Sequence, residues 1–346
     1  MRIAVMGAGG WGTALSIVAG RAGHEVRLWS RNGRVVEGVN RAHVNEIYLA
    51  GQSIPASVRA TGETREALEG AEVVVLAAPS HATRELLGHI AGEVNGEMVF
   101  VSATKGIENE TGMRVSEIVA DVLGRKIRAP RFVCLSGPSF AREVAEGQPT
   151  AVVAASEDGE LSRLVQSELS VQNFRVYTNG DLVGTELGGA VKNVMAVAAG
   201  MVAGLGLGSN SVAALVTRGL AEMSRLALAK GGREETMTGL AGLGDLVLTC
   251  TGGLSRNRFV GQELGRGRSL EEVLAGMSEV AEGVRTTRSV KQLAARAGVE
   301  MPITDEVHAV LYEGKGVRDA VESLMARPPR GEFEKIVMRT EERRTE

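Results

Sequence analysis

Residues 2–29 read RIAVMGAGGWGTALSIVAGRAGHEVRLW, and this stretch decides the fold. Its first five residues are a short apolar run that ends in glycines. From 11 to 22, Ala14, Leu15, Val18 and Ala22 recur at helical spacing, and Gly23 stands where a helix C-cap belongs. Residues 25–29 return to strand character. Strand, glycine turn, helix and strand make a βαβ unit. Within the turn, Gly7, Gly9 and Gly12 fit G-x-G-x-x-G, with Gly10 and Trp11 between them. The first glycine permits the tight turn, the second lets a pyrophosphate approach the backbone, and the third packs helix on strand. The helix N-terminus then faces the anion with free amides. A strand before the motif and a helix after it are the context a dinucleotide site requires.

The end of the second strand distinguishes the two nicotinamide dinucleotides. An acid there grips the ribose hydroxyl of NAD, and an arginine accommodates the extra phosphate of NADP. The sequence reads Trp29-Ser30-Arg31 with Arg34 close behind, and no acid. Arg31 is the candidate phosphate reader, and NADP and NAD are the expected cofactors.

Outward from this unit, the strand pattern recurs at 72–78, 97–103 and 131–135, with helix-like segments at 82–92 and 113–123 between. Continuous apolar strands alternating with helices predict a parallel sheet covered on both faces. A further strand pair is expected at 150–155 and 174–178. After about 182 the character changes to Ala/Leu/Met-rich helical runs at 183–207, 211–231, 258–264, 270–276, 286–298 and 304–312. The expected fold class is α/β: a Rossmann-type, doubly wound dinucleotide domain at 1–182, an all-helical domain at 183–330, and a charged tail at 331–346.

Composition narrows the function. Of 346 residues 45 are glycine, roughly twice the usual share, while aromatics are only 3%. The core is therefore aliphatic, with small residues where backbones come close. A net charge of −3 shows no nucleic-acid footprint. Cys134 and Cys250 are far apart and the five histidines are scattered, so neither a disulfide scaffold nor a metal site is expected. The apolar run at 194–207 is shorter than the ~20 residues of a membrane span, and Met1-Arg2 leads straight into a strand. A cytoplasmic protein without an integral membrane segment is expected.

Three places can carry chemistry. Lys105 follows the strand at 97–103, at the end where open α/β sheets hold their ligands. Lys192 has Gly188, Gly189, Ala196 and Ala199 as its helical neighbours. A lysine in a stripe of small residues is expected to be desolvated, with a lowered pKa that suits proton transfer. Helix packing would account for the glycines too. Ser255 is a good N-cap for a helix opening with Arg256 and Asn257, which is a ready phosphate site; an ordinary capped surface helix has the same signature. No G-x-S-x-G elbow or Walker loop is present. Together these features suggest hydride transfer to a phosphorylated substrate, with a lysine handling the proton.

The strings GAGGWGTAL (7–15), SATKGIE (102–108), SGPSFAREV (136–144), KNVMAVAAG (192–200), NSVAAL with RGLAEM (210–223), GLAGLGDLVLTC (239–250) and SRN (255–257) occur in one order. On these the chain resembles the bacterial NAD(P)-dependent glycerol-3-phosphate dehydrogenases over nearly its whole length. The resemblance implies a helical domain like that of 6-phosphogluconate dehydrogenase. It implies reversible reduction of dihydroxyacetone phosphate to sn-glycerol 3-phosphate, for phospholipid synthesis. It places the proton acceptor of alcohol oxidation on Lys192, with Lys105 touching both cofactor and substrate and Asp245 completing the catalytic group. Gly137, Ser139, Asp245, Ser255, Arg256 and Asn257 match substrate positions. Trp11, Arg31, Ala141, Arg256, Val280 and Glu282 match cofactor positions, beside Gly7, Gly9, Gly10 and Gly12 of the loop. One departure is visible: Gly10 stands where the family often has serine, so only a backbone contact is left there. Partners would be a small phosphorylated substrate, no nucleic acid, and a second copy in a homodimer. Two rivals remain: a β-hydroxyacid dehydrogenase on the same scaffold, and a non-catalytic redox sensor that binds a dinucleotide.

Overall fold

Short runs of β-branched and aliphatic residues set the centre of the molecule. The computed structural model describes residues 1–277, 281–329 and 331–332. Val280 and residues 333–346 of the expected tail lie outside them. Eight strands form one sheet: β1 (Arg2–Met6), β2 (Glu25–Trp29), β3 (Val58–Thr61), β4 (Val73–Leu76), β5 (Val99–Ser102), β6 (Arg131–Ser136), β7 (Thr150–Ala155) and β8 (Phe174–Asn179). Their order is β8-β7-β6-β5-β4-β1-β2-β3. Every residue of β4 (VVVL) and β5 (VFVS) is buried, as strands covered on both faces require. Alternate residues go to opposite faces. Ile3 and Val5 join one core with Leu15 and Val18 of helix Gly10–Arg21, whereas Ala4 and Met6 join a second core with Leu87 and Ile118.

The strand order turns back at β1, which pairs with β2 on one side and β4 on the other, all parallel. Ligand crevices open at such a switch point, and the glycine loop lies there. One expectation fails: β7 runs antiparallel to β6, so the sheet is not wholly parallel. The connection at 137–149 holds only the six-residue helix Ala141–Glu146, short for a crossover. β8 then pairs parallel with β7. The segment 30–71, silent in the sequence, contains helix Gly33–Glu37, a π-type turn at Gly38–Ala42, a hairpin of Val44–Asn45 with Leu49–Ser53, strand β3, and helix Thr64–Leu68.

From Leu182 onward the described elements are all helical. Helix Leu182–Gly204 is the one described helix long and apolar enough to cross a membrane, but residues 184–202 are all buried within the protein. It meets helix Arg256–Gly265 almost backbone to backbone. A Cβ on Gly200 would lie 2.0 Å from the Arg258 carbonyl oxygen, and one on Gly204 2.2 Å from that of Gln262. Conversely, Gly261 and Gly265 would meet the carbonyl oxygens of Val197 and Met201 at 1.9 and 2.5 Å. No side chain fits at this crossing, so glycine is required there. The crossing carries the Ser255–Asn257 helix start to the side of Lys192.

Candidate active site

Lys105 leaves the sheet at the end of β5. Its Nζ donates to the Gly137 carbonyl at 2.9 Å and to Asp245 Oδ2 at 2.6 Å. Asp245 opens helix Asp245–Thr251 directly after a π-type turn at Leu240–Gly244. From the middle of helix Leu182–Gly204, Lys192 Nζ donates to Asp245 Oδ1 at 2.8 Å and to the Thr249 hydroxyl at 2.7 Å. One carboxylate thus sits between two ammoniums. Asp245 is 1% and Lys192 6% exposed.

The electrostatics follow from this burial. Desolvation pulls the Lys192 pKa down to about 8; Lys105 pulls the same way and Asp245 opposes. Burial alone would raise the Asp245 pKa, but Lys105 and Lys192 outweigh it and hold the carboxyl below its usual range. An ammonium has three donors. Two are taken on each lysine, which leaves one apiece to face a ligand.

What lies close against the stripe beside Lys192 is protein. A Cβ on Gly188 would press on the Ala241 carbonyl oxygen at 2.6 Å, and one on Gly189 on Ser136 Oγ at 2.9 Å and Lys105 Cγ at 3.5 Å. These glycines admit the turn that carries Asp245 and the stem of Lys105. Protein packing explains them.

Ser255 caps its helix, accepting from the Arg258 N–H at 3.2 Å, and Arg256 is the exposed first residue of that helix. Asn257 is buried and bridges the site. Its Nδ2 donates to Asn193 Oδ1 at 2.9 Å, and its Oδ1 accepts from the Gly283 N–H at 2.8 Å. Asn193 Nδ2 in turn reaches the Lys105 carbonyl at 3.4 Å. Ser139 donates to the same Gly137 carbonyl that holds Lys105, at 2.9 Å. Gly137 has φ +125, open to glycine, and Ala141 begins the next helix.

The glycine loop has the shape of a pyrophosphate cradle. Gly7 has φ +127, and a Cβ there would lie 2.9 Å from the Ala77 carbonyl oxygen. A Cβ on Gly12 would meet the Gly7 carbonyl oxygen at 1.9 Å, whereas Gly9 faces open space. Gly10 is the first residue of the helix, and the Trp11 indole N–H is buried with no partner among the described residues. Free space over Gly9, at a helix start, suits a bound dinucleotide. At the end of β2 a cavity of about 640 Å³ is lined by Ser30, Arg31, Glu37, Arg41 and Glu63 among others. Glu282, at the start of helix Glu282–Arg296, accepts from Ser80 N–H and Oγ at 3.2 and 2.5 Å.

The structure therefore brings Lys105, Gly137, Ser139, Lys192, Asp245 and Asn257 into one hydrogen-bonded group and leaves Arg31 at a separate, outer cavity. Thr249 and Asn193 went unassigned in the sequence, although Thr249 lies one helical turn from Asp245 and Asn193 follows Lys192. Asn45, whose Nδ2 braces the glycine loop through the Ala8 carbonyl at 2.9 Å and Thr13 Oγ at 2.8 Å, gave no local signal. Nor did Glu37 and Glu63, which bring acids to a place where β2 itself has none.

Residues 2–162 match the family model described as the NAD-dependent glycerol-3-phosphate dehydrogenase N-terminus, and residues 181–322 match its C-terminus. The chain is 57% identical over 329 residues to glycerol-3-phosphate dehydrogenase (NAD(P)+) of Koribacter versatilis (strain Ellin345), covering 94% of this chain and 97% of that one. It is 51% identical over 332 residues to the enzyme of the same name from Nitratidesulfovibrio vulgaris (strain Hildenborough), with 96% and 100% covered. The crystal structure of glycerol-3-phosphate dehydrogenase from Coxiella burnetii superposes with a TM-score of 0.90 at 42% identity, over 94% of this chain and 99% of that one. Two family models over most of its length, with relatives above half identity, carry one conclusion: the chain belongs to the NAD-dependent glycerol-3-phosphate dehydrogenase family.

Proposed function

We propose that this chain reversibly reduces dihydroxyacetone phosphate to sn-glycerol 3-phosphate with NADPH or NADH. The observation that carries the reading is the buried Lys192–Asp245–Lys105 group next to the Ser255–Asn257 helix start. The dinucleotide, when bound, supplies the hydride. The glycine loop, Trp11, Arg31 and Ala141 hold it, with Glu282 on the helical side. Residues 1–182 would thus serve the cofactor, and 183–330 the substrate.

The remaining chemistry belongs to the side chains. Arg256 and the amides at the Ser255 helix start take the phosphate, with a charge-assisted fork and a helix dipole. Asn257 adds its second amide hydrogen. Lys192 gives a proton to the alkoxide that develops at the carbonyl and recovers it in oxidation. A pKa of about 8 makes that proton transferable near neutral pH. Asp245 holds the Lys192 ammonium in place, and Lys105 adds positive charge near the same oxygen. A lysine buried at such a cost is out of place in a redox sensor. A β-hydroxyacid lacks the dianion that Arg256 suits.

Supply of glycerophospholipid synthesis from the cytoplasm, by a homodimer, completes the proposal. The direct test follows NADPH absorbance when dihydroxyacetone phosphate is added to the purified protein. Turnover with it and little with unphosphorylated dihydroxyacetone is expected. Equal turnover with both, or none with either, would end this reading.

A further inference from the structure

One carboxylate crosses the cleft between the sheet half and the helical half. Ser80 lies in the turn after β4, on the sheet side, and is 5% exposed. Glu282 is the first residue of helix Glu282–Arg296 on the other side. Ser80 engages both carboxylate oxygens, its N–H donating to Oε1 at 3.2 Å and its hydroxyl to Oε2 at 2.5 Å. His81 lies within range of this carboxylate and of Arg285, Arg31 and Glu110. The backbone of Gly106 rests against this pair. A Cβ there would sit 2.4 Å from Ser80 Cβ and 3.2 Å from Glu282 Oε2.

Gly106 directly follows Lys105, and every residue of this loop is gripped. The Thr104 hydroxyl donates to the Ala78 carbonyl at 2.7 Å, and the Lys105 carbonyl accepts from Asn193 at 3.4 Å. The Ile107 carbonyl accepts from the Ser289 hydroxyl at 3.2 Å. Ala78 and Ser80 hold the loop from the sheet side; Asn193, Glu282 and Ser289 hold it from the helical side. The contact at Gly106 is the point where both sides meet on one residue. Hydrogen bonds to an ionised carboxylate are about twice as strong as neutral ones, and a glycine puts no side chain between them.

We propose that Ser80 and Glu282 form a clasp across the cleft, and that Ser80 is a positioning residue. By holding Glu282 over Gly106, it sets where Lys105 stands relative to Asp245 and Lys192. The proposal rests on the reading that Lys192 moves the proton.

The test uses the full-length protein carrying Ser80→Ala, Glu282→Gln or both. Lys192 is titrated without cofactor by NMR of ¹³Cε-labelled lysine, with Lys192→Arg giving the assignment. Loosening the loop lets Lys105 draw away from Lys192, and its depressing charge weakens. The Lys192 midpoint should therefore rise from about 8 by about half a pH unit or more. Turnover should fall about tenfold, with thermal stability nearly kept. NADPH affinity, read from tryptophan fluorescence, should weaken in both single variants. The double variant should be hardly worse than the worse single one, because both act on the one hydroxyl–carboxylate contact. An unmoved Lys192 midpoint in both single variants, or effects that simply multiply in the double, would overturn the clasp. If instead Lys192→Met kept its turnover, the functional reading would fail, whatever Ser80 does.

Discussion

At the end of β2, Arg31, Glu37, Arg41 and Glu63 are all exposed around an open cavity. At the end of β5, Lys105, Asp245 and Lys192 are joined by hydrogen bonds of 2.6 and 2.8 Å, with the carboxylate sealed from water. The outer charges sit in high dielectric, where an ion pair such as Arg41–Glu37 contributes about 0–1 kcal/mol. The inner charges have lost most of their hydration and are held by their neighbours, so removal of Asp245 would leave two ammoniums without their shared carboxylate. On the proposed function, cofactor choice is written in groups that are cheap to change, and proton handling in groups that are not.

The comparison breaks first if the inner site tolerates loss. Lys192→Met is expected to fold and bind NADPH but to lose at least about a thousandfold in kcat, since proton transfer and its charge both go. Retention of more than a tenth of the wild-type rate would remove the contrast. Arg256→Ala comes next. A bidentate charge-assisted contact should cost on the order of a hundredfold in kcat/KM toward dihydroxyacetone phosphate at saturating cofactor. Toward unphosphorylated dihydroxyacetone the variant should match the wild type, and Arg256→Lys should recover only part.

The pH profile sharpens the comparison. Reduction requires protonated Lys192, so its kcat/KM should be level below about 8 and fall about tenfold per pH unit above. Oxidation requires the neutral amine and should rise through the same pH and then level off. Both limbs should vanish in Lys192→Met. The smallest effect belongs to the outer cavity. Arg31→Ala should raise the NADPH Michaelis constant several-fold to about tenfold and leave that of NADH almost unchanged. Equal changes for both cofactors would show that this end does not read the phosphate.

Legibility in the sequence follows the same division, with a twist. Seven of the eight strands and the glycine loop could be read because their apolar runs and turn residues are local. The segment 30–71 could not, since its helices are five residues long and one strand of its hairpin has only two, too short for any period to show. The reversal of β7 was readable in principle from its short connection, which leaves little room for a crossover. In the site, Lys192 announced itself through its small neighbours, and of the two reasons the spacing left open the structure shows packing: Gly188 and Gly189 admit protein. Asp245 lies 53 residues away from its lysine partner, and only the recurrence of family strings pointed to it. Glu37, Glu63 and Asn45 reach the cofactor side through folding alone.

The crossing of helices Leu182–Gly204 and Arg256–Gly265 bears on how this protein can drift. Between Lys192 and the Ser255–Asn257 helix start stands a contact of two helix backbones, with no rotamer at the four glycines to adjust. Val194 and Met195 can exchange for other aliphatic residues, and the surrounding core repacks without altering that gap. Gly200, Gly204, Gly261 and Gly265 cannot exchange, because each added carbon would fall within 2.5 Å of a carbonyl oxygen. Gly261→Ala should therefore force the helices apart, lower the melting temperature by several degrees, and depress kcat/KM more than any aliphatic swap nearby. Random change in this core is channelled into positions that the substrate never feels.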